Sequence, residues 1–147
     1  MTWRFSLPGQ PLSWNRAYRI GYQYGKRGRY MTLIKTAEAE RFQDEAVLII
    51  RSAKPSGWEP KGQVRIHYWL YLARAIDSDN VLKLINDAIQ TATGIDDKYY
   101  LPTVEEKTKG WGKKARVEVV VEDLASHSAG RPGSTATLNR SSSSSAT

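Results

Sequence analysis

The segment QVRIHYWLYLAR, residues 63–74, places the strongest constraint on the fold of this chain. In an extended conformation its side chains alternate between two faces. Four that are apolar or aromatic share one face: Val64, Ile66, Tyr68 and Leu70. Four more large side chains share the opposite face: Arg65, His67, Trp69 and Tyr71. Large side chains on both faces of an alternating segment predict a central strand of a sheet. His67 is therefore expected to be a packed sheet residue rather than a metal ligand.

The elements predicted around this strand give an α+β order. The segment TWRFSLP alternates polar and apolar side chains, which predicts a short strand that ends at Pro8. A helix is expected after Thr36, a suitable N-cap, and before Pro55. Residues 99–110 and 115–123 predict two more strands, joined by the GWGKK turn. The order is then strand, basic loop, helix, strand, helix, strand, strand, which favours a small mixed sheet with two main helices packed on it.

A basic and aromatic segment, PLSWNRAYRIGYQYGKRGRY, occupies residues 11–30 and contains no acidic residue. Its basic residues are Arg16, Arg19, Lys26, Arg27 and Arg29. Five aromatic residues are interleaved with them: Trp14, Tyr18, Tyr22, Tyr24 and Tyr30. The segment predicts a flexible loop or a ribbon of short strands. With a net charge of +7 for the chain, it indicates a nucleic-acid partner, although surplus surface lysine gives the same charge.

Composition excludes several kinds of site. The chain has no cysteine, so disulfides, thiolate metal sites and cysteine nucleophiles are ruled out. With two histidines, His67 and His127, one chain cannot build a histidine-rich metal site. No apolar run approaches the ~18 residues of a membrane span, and the N-terminal residues lack the apolar core of a signal peptide. An intracellular, cytoplasmic location without a membrane partner is expected.

The composition changes near residue 124. The segment 124–147 is rich in Ser, Gly and Thr and has almost no large apolar side chain. Such a segment cannot bury enough surface to offset the entropy cost of ordering, so a disordered tail is predicted. Residues 1–123 are expected to form one folded domain.

A helix flanked by aspartates follows the central strand, in RAIDSDNVLKLINDAIQTATGIDD, residues 74–97. Its predicted apolar face consists of Val81, Leu82, Ile85, Ala88, Ile89 and Ala92, and Gly94 ends the helix. Asp77 and Asp79 lie where the strand ends and the helix begins. Helix capping explains one such aspartate. Two of them, one residue apart and followed by Asn80, can also converge on a hard cation such as Mg²⁺.

The same helix carries a polar stripe. Lys83 lies one turn after Asp79, and Asp87 continues the stripe. Lys83 is either a surface partner of Asp79 or a cation that stabilises a phosphate beside a metal. Asp96 and Asp97 follow Gly94, and taken alone they are better explained by an ordinary polar turn than by a site.

Together these motifs resemble the RusA family of Holliday-junction resolvases. The pattern DSDNVLKLINDAIQ…GIDD supplies the D-x-D-N, the lysine four residues later, Asp87 and the closing D-D, and SWNRAYR resembles the family's Asn-Arg-Tyr-rich segment at Asn15, Arg16 and Tyr18. The resemblance spans roughly residues 2–122. It implies a small homodimer that cuts four-way DNA junctions symmetrically with Mg²⁺, in recombination or repair. The segment LARAI before Asp77 is less basic than the family's usual run, and the serine-rich tail is additional.

The resemblance also implies roles for individual residues. Asp77, Asp79 and Asp97 match the family's catalytic aspartates and would hold the metal, and Lys83 matches its functional lysine. The residues expected to bind DNA are Asn15, Arg16, Arg19, Lys26, Arg27 and Arg29. The tyrosines among them either stack on unpaired bases or pack within the segment. The choice between Mg²⁺ and Mn²⁺ stays open, as does a phage or prophage origin.

Two other classes of protein stay open on the residues alone. A non-catalytic DNA-binding or architectural protein explains the charge and the aromatic residues but leaves the acidic cluster without a role. An unrelated metal-dependent phosphatase explains the acidic cluster but not the basic aromatic segment.

The length of the predicted helix bears on the site. A helix from Asp79 to Thr93 is about 22 Å long. Because the three residues past Gly94 reach at most about 10 Å, Asp97 stops roughly 10 Å short of Asp77 and Asp79. Asp97 therefore either serves no metal held by that pair or joins it from another chain. We predict a two-fold dimer with antiparallel helices, in which the active site is shared between subunits.

Overall fold

A computed structural model describes residues 1–124 of the 147-residue chain, so all of the predicted tail except Leu124 lies outside the described residues. The elements in chain order are β1 (Thr2–Pro8), α1 (Trp14–Ala17), β2 (Tyr18–Gly25), β3 (Gly28–Lys35), α2 (Ala37–Ala53), β4 (Val64–Tyr71), α3 (Ser78–Thr93), β5 (Tyr100–Thr108) and β6 (Arg116–Asp123). Two 3₁₀ turns, Asp97–Tyr99 and Gly112–Lys114, precede β5 and β6. Within the described range, every helix is too short or too polar to cross a membrane.

The main sheet has four strands in the order β1-β6-β4-β5. β6 pairs antiparallel with both β1 and β4, whereas β4 and β5 pair in parallel, so the sheet is mixed as predicted. β4 lies inside the sheet, and its face formed by Val64, Ile66, Tyr68 and Leu70 is buried. The predicted GWGKK connection joins β5 to β6, but these two strands lie on opposite sides of β4 and do not pair with each other.

The two long helices pack on one face of this sheet and form the core with it. α2 begins at the predicted cap, where Thr36 Oγ1 accepts a hydrogen bond from the Ala39 N–H at 3.2 Å, and it ends before Pro55. α3 ends at Gly94, whose φ of 78° lies in the left-handed region that favours glycine. The core residues that the two helices contribute are Ala46, Val47, Ile50, Val81, Leu82, Ile85, Ala88 and Ile89. The predicted α+β architecture is confirmed.

The basic segment forms α1 and a separate two-stranded hairpin, β2–β3. Of the two predicted forms, the ribbon of strands is the one observed, and the short helix before it was not predicted. Lys26 and Arg27 make the two-residue turn between the paired residues Gly25 and Gly28. α1 is anchored by a second small core of Leu12, Ala17, Ala39 and Leu84. This core attaches the start of the hairpin to α2 and α3.

His67 lies on the open face of the sheet, packed between strands as predicted. Its Nδ1 is 2.6 Å from Glu105 Oε2 on β5, and its Nε2 is 3.1 Å from Glu122 Oε1 on β6. Burial lowers the pKa of His67, but the hydrogen bonds and negative charges of the two glutamates outweigh this effect and raise the pKa above its usual value. When it is protonated, the imidazole donates to both glutamates and thus links three strands of the sheet.

The stability of the domain should therefore depend on the protonation of His67. Because the pKa is raised in the folded state, the stabilisation is fully present below the unfolded-state pKa of about 6.5 and is lost as pH rises through the folded-state pKa. We expect urea unfolding to give a free energy that falls over this range, and His67→Gln to flatten the fall. His127→Gln, which changes the other histidine, is the control. An equal effect of both substitutions would contradict the assignment.

A buried hydrogen bond joins the sheet to α3. The Tyr68 hydroxyl, on a fully buried side chain, donates to Asn86 Oδ1 on α3. Burial raises the pKa of Tyr68 above its usual value, so the hydroxyl stays a donor over the working pH range. The bond restrains the rotation of α3, because Asn86 lies on the same side of the helix as Asp79 and Lys83, which are described below.

Tyr68→Phe should destabilise the domain by about 1 kcal/mol, because it removes the donor and leaves the Asn86 oxygen unsatisfied. The measurement is the free energy of unfolding in urea. Tyr24→Phe changes a hydroxyl on a side chain that is 82% exposed and should have no effect. A Tyr68→Phe protein as stable as wild type would show that the bond does not hold α3.

Candidate active site

Asp77 and Asp79 lie at the N-terminus of α3, directly after the connection from β4. Asp77 is the N-cap of the helix, and its Oδ1 accepts a hydrogen bond from the Asp79 N–H at 3.1 Å. The capping role considered for this residue is therefore observed, and it occupies one of the two carboxylate oxygens. Both residues are exposed, and within residues 1–124 the Asp79 carboxylate makes no ion pair. Capping thus leaves carboxylate oxygens available to a ligand.

Lys83 lies one turn further along α3 and contacts α1. Its Nζ is 5.3 Å from the centre of the Trp14 ring, which in turn lies 4.2 Å from the Tyr18 ring centre. An ammonium group over an aromatic face is attracted by the ring quadrupole. The alternative of an ion pair with Asp79 is not observed, so the Lys83 ammonium group is held by Trp14 and has no paired carboxylate in the described chain.

Asp87 is the half-buried member of the polar stripe. Burial raises the pKa of its carboxyl group, and the nearby Asp97 carboxylate raises it further, whereas Lys35 on β3 opposes the shift. Burial is the main cause of the raised pKa of Tyr18, and the Asp87 carboxylate raises it further. Asp97, which begins the 3₁₀ turn after α3, thus acts electrostatically on the same part of α3 as Lys35 and as Tyr18 at the base of the hairpin.

Asp97 is therefore separated from the aspartates at the start of the helix. Asp87, its electrostatic neighbour, lies about 12 Å along the helix axis from Asp79. In the described part of the chain, no three His, Cys, Asp or Glu side chains are grouped so that they could hold a metal ion. Asp96 instead caps the following 3₁₀ turn, where its Oδ1 accepts from the Lys98 N–H at 3.0 Å. A single chain thus brings Asp77 and Asp79 together but does not add Asp97.

The connection that carries Asp77 is held by Gln10. The Ala73 N–H donates to Gln10 Oε1 at 2.6 Å, and Gln10 Nε2 donates to the Arg74 carbonyl oxygen at 3.3 Å. One amide side chain therefore satisfies two backbone groups of the segment between β4 and α3. This fixes the path of the residues that lead to Asp77.

The predicted DNA-binding residues follow one another along an exposed path. Asn15 and Arg16 are exposed on α1, Arg19 is exposed on β2, and Lys26 and Arg27 form the hairpin turn. On β3, the Arg29 guanidinium lies 4.6 Å from the centre of the Tyr22 ring. Because α1 packs beside Lys83, the path begins at α3 and extends to the tip of the hairpin.

Sequence reasoning missed Lys35 and Gln10, which the fold brings to the site. Lys35 ends β3, far in sequence from Asp87, and Gln10 precedes the connection that it holds by more than sixty residues. No local spacing links either residue to α3. The interleaving of Trp14 with basic residues was a usable signal, but it indicated contact with DNA rather than with Lys83.

The comparison with known families defines the class of protein. A family profile described as "Endodeoxyribonuclease RusA" matches residues 8–122, which is most of the 147-residue chain and includes both ends of α3. The protein is an enzyme that hydrolyses DNA. It belongs to the RusA family of endodeoxyribonucleases, whose members act on DNA junctions. The predicted resemblance is confirmed, and the non-catalytic alternative is set aside. A comparison with curated proteins finds no match.

Proposed function

We propose that this enzyme resolves four-way DNA junctions by paired, symmetric hydrolysis of phosphodiester bonds, with Mg²⁺ or Mn²⁺ as cofactor, in recombination or repair. The observation that carries the proposal is the exposed pair of carboxylates, Asp77 and Asp79, at the N-terminus of α3 with Lys83 one turn away. The two carboxylates repel the phosphates of the DNA backbone unless a cation lies between the carboxylates and the phosphates. A cytoplasmic place of action fits this function.

The residues present suit a divalent metal. Mg²⁺ is usually held by one or two carboxylates, with the remaining positions taken by water and substrate phosphate. Asp77 has an oxygen left after capping, and Asp79 has its whole carboxylate free of ion pairs within residues 1–124. When bound there, the cation supplies Lewis-acid stabilisation of the phosphate and lowers the pKa of the attacking water.

The chain's own residues position the substrate. Lys83 offsets the charge that develops on the phosphate during in-line attack, and Trp14 holds its ammonium group in place. The free N–H groups at the start of α3 and its dipole add positive potential at the same point. Hydrolysis leaves a 5′-phosphate and a 3′-hydroxyl. Asn15, Arg16, Arg19, Lys26, Arg27 and Arg29 hold the backbone of the junction arms.

The enzyme acts as a homodimer in this proposal, with each site completed by Asp97 of the second subunit. Within one chain Asp97 lies beside Asp87, far along α3 from Asp79. A two-fold axis with antiparallel α3 helices brings the two ends together and gives the two equivalent sites that symmetric cutting needs.

An exposed apolar face on the hairpin supports the dimer. Ile20, Met31 and Leu33 have exposed fractions of 65%, 67% and 59%, and Ile20 is the cross-strand partner of Leu33. A two-stranded hairpin has little stability alone, and exposed apolar patches mark contact sites. We assign this patch at the base of the hairpin to the second subunit and the basic tip to DNA.

Mixing of subunits tests the shared site. Asp79→Asn and Asp97→Asn homodimers should each lose junction cleavage in Mg²⁺ while they still bind the junction. A heterodimer of the two variants, isolated with two different tags, should contain one intact site and nick one strand. This outcome follows because both lesions fall in the same shared site.

A matched heterodimer of Asp77→Asn with Asp79→Asn is the control, since its lesions fall in different sites under either arrangement and it should stay inactive. If the Asp79→Asn and Asp97→Asn heterodimer is also inactive, sharing is wrong. Full cleavage by Asp79→Asn homodimers would remove Asp79 from the site.

Replacing Arg27 and Arg29 with Ala should weaken binding to any DNA. Each lost phosphate contact should reduce the slope of log K against log salt by about 0.9. The measurement is junction affinity between low and physiological salt. The control is Arg41→Ala with Arg51→Ala, which removes the same charge from exposed positions on α2. A slope that Arg27→Ala with Arg29→Ala leaves unchanged would mean that the hairpin tip does not contact the backbone.

A further inference from the structure

A cavity of about 560 Å³ opens beside the connection that leads from β4 to the aspartate pair. It lies between the segment 10–13, α1, the start of α2 and the connection from β4 to α3. This volume is within the ~300–1,000 Å³ of sites that hold small organic groups. The last residue of its wall, Ile76, directly precedes Asp77.

The lining combines an apolar floor with polar groups at the rim. Leu12, Phe42 and Ile76 supply the apolar side chains. Ser13 is the N-cap of α1, but its side chain makes no capping hydrogen bond, so the hydroxyl is available. Arg16 and Arg74 supply positive charge: Arg16 lies 3.8 Å from Glu38, and no acidic side chain of residues 1–124 pairs with the Arg74 guanidinium.

The wall of the cavity is formed before any ligand binds. Gln10 bonds to both Ala73 and Arg74, which fixes the side of the cavity next to Asp77. Leu12 is buried in the small core below α1, which fixes the opposite side. A preformed site loses little entropy when it takes up a ligand.

We propose that this cavity holds one unstacked nucleotide of the strand that is cut, next to the scissile phosphate. The inference rests on the proposed function. A base has flat apolar faces that suit Leu12, Phe42 and Ile76, and a polar edge that suits Ser13. The flanking phosphates meet Arg16 and Arg74. Bases at the crossover of a junction are the least costly to unstack, and the adjacent metal-binding pair sets the register of the nucleotide.

The cavity thereby selects where a junction is cut. A base that fits it holds the neighbouring phosphate at Asp77 and Asp79, whereas a base that does not fit leaves the phosphate out of place. The fit at one nucleotide, rather than readout of a duplex groove, sets the sequence preference of cleavage.

An abasic scan tests the proposal. Four-way junctions that each lack one base near the crossover are titrated with the full-length protein in EDTA, so that no strand is cut. Loss of the base that occupies the cavity should weaken binding roughly tenfold, and neighbouring positions should have little effect. The same position should border the phosphate that the protein cuts in Mg²⁺.

Ala75→Phe assigns the effect to the cavity, because Ala75 is exposed and lines it. This variant should bind the intact junction about as weakly as wild type binds the abasic one, and it should show no further loss with the abasic junction. Ala73→Phe is the matched control on the same connection, exposed but outside the lining, and it should keep the wild-type pattern. If Ala75→Phe does not fold, Arg74→Ala should weaken binding of the intact junction more than its charge-matched control Arg51→Ala, because only Arg74 lines the cavity, and an equal loss in both would count against the cavity.

A flat abasic scan, or an abasic penalty that Ala75→Phe leaves unchanged, would overturn the cavity assignment while junction cleavage by the wild-type protein still supports the proposed function. A wild-type protein that cuts no four-way junction would overturn both.

Discussion

The parallel pairing of β4 with β5 is the constraint on which the site depends. Two parallel neighbours require a connection that returns the chain along the full length of the strands, and α3 is that connection. Asp77 therefore starts the return and Asp97 follows its end. The same pairing that closes the core keeps these two aspartates apart within one chain, which is why the proposed site needs a second subunit.

The polar side of α3 is organised by the N-terminal segment that packs across it. Leu12 and Ala17 attach α1 to Leu84, and this places Trp14 beside Lys83 and Tyr18 beside Asp87. The exposed arginines and the hairpin begin at the same point. Basic residues for the DNA backbone are thereby positioned by direct contact with the helix that carries the candidate catalytic groups.

Elements with a strong local pattern could be predicted from the sequence. β4 followed from alternation of large side chains, and both long helices followed from their caps at Thr36 and Gly94. α1 could not be predicted, because four residues have no helical stability of their own and this turn is fixed by packing on Leu84. The order of strands was also beyond reach, since the pairing of β4 with both β5 and β6 joins residues far apart in sequence.

The candidate site likewise has residues that the sequence could place and residues that only the fold brings together. The spacing of Asp77, Asp79 and Lys83 is local, so sequence alone placed them at the start of one helix. The length of the helix and the short segment after Gly94 predicted that Asp97 lies too far from Asp77 and Asp79 to share their metal within one chain. The effect of Asp97 on Asp87 and Tyr100 depends on the path of residues 95–97 between α3 and β5, which no sequence pattern encodes. Lys35 and Gln10 reach the site through tertiary contacts, and no spacing in the sequence indicated that they lie there.

The position of β6 has a consequence for the synthesis of this nuclease. β6 is the last strand of the sheet to be made, yet it lies between β1 and β4 and is the sole partner of β1 within residues 1–124. While the ribosome has not released Arg116–Asp123, β1 has nothing to pair with and β4 keeps one edge open. The sheet that supports α3 therefore closes after translation of the domain, and the nascent chain emerges without an assembled DNA-cutting centre.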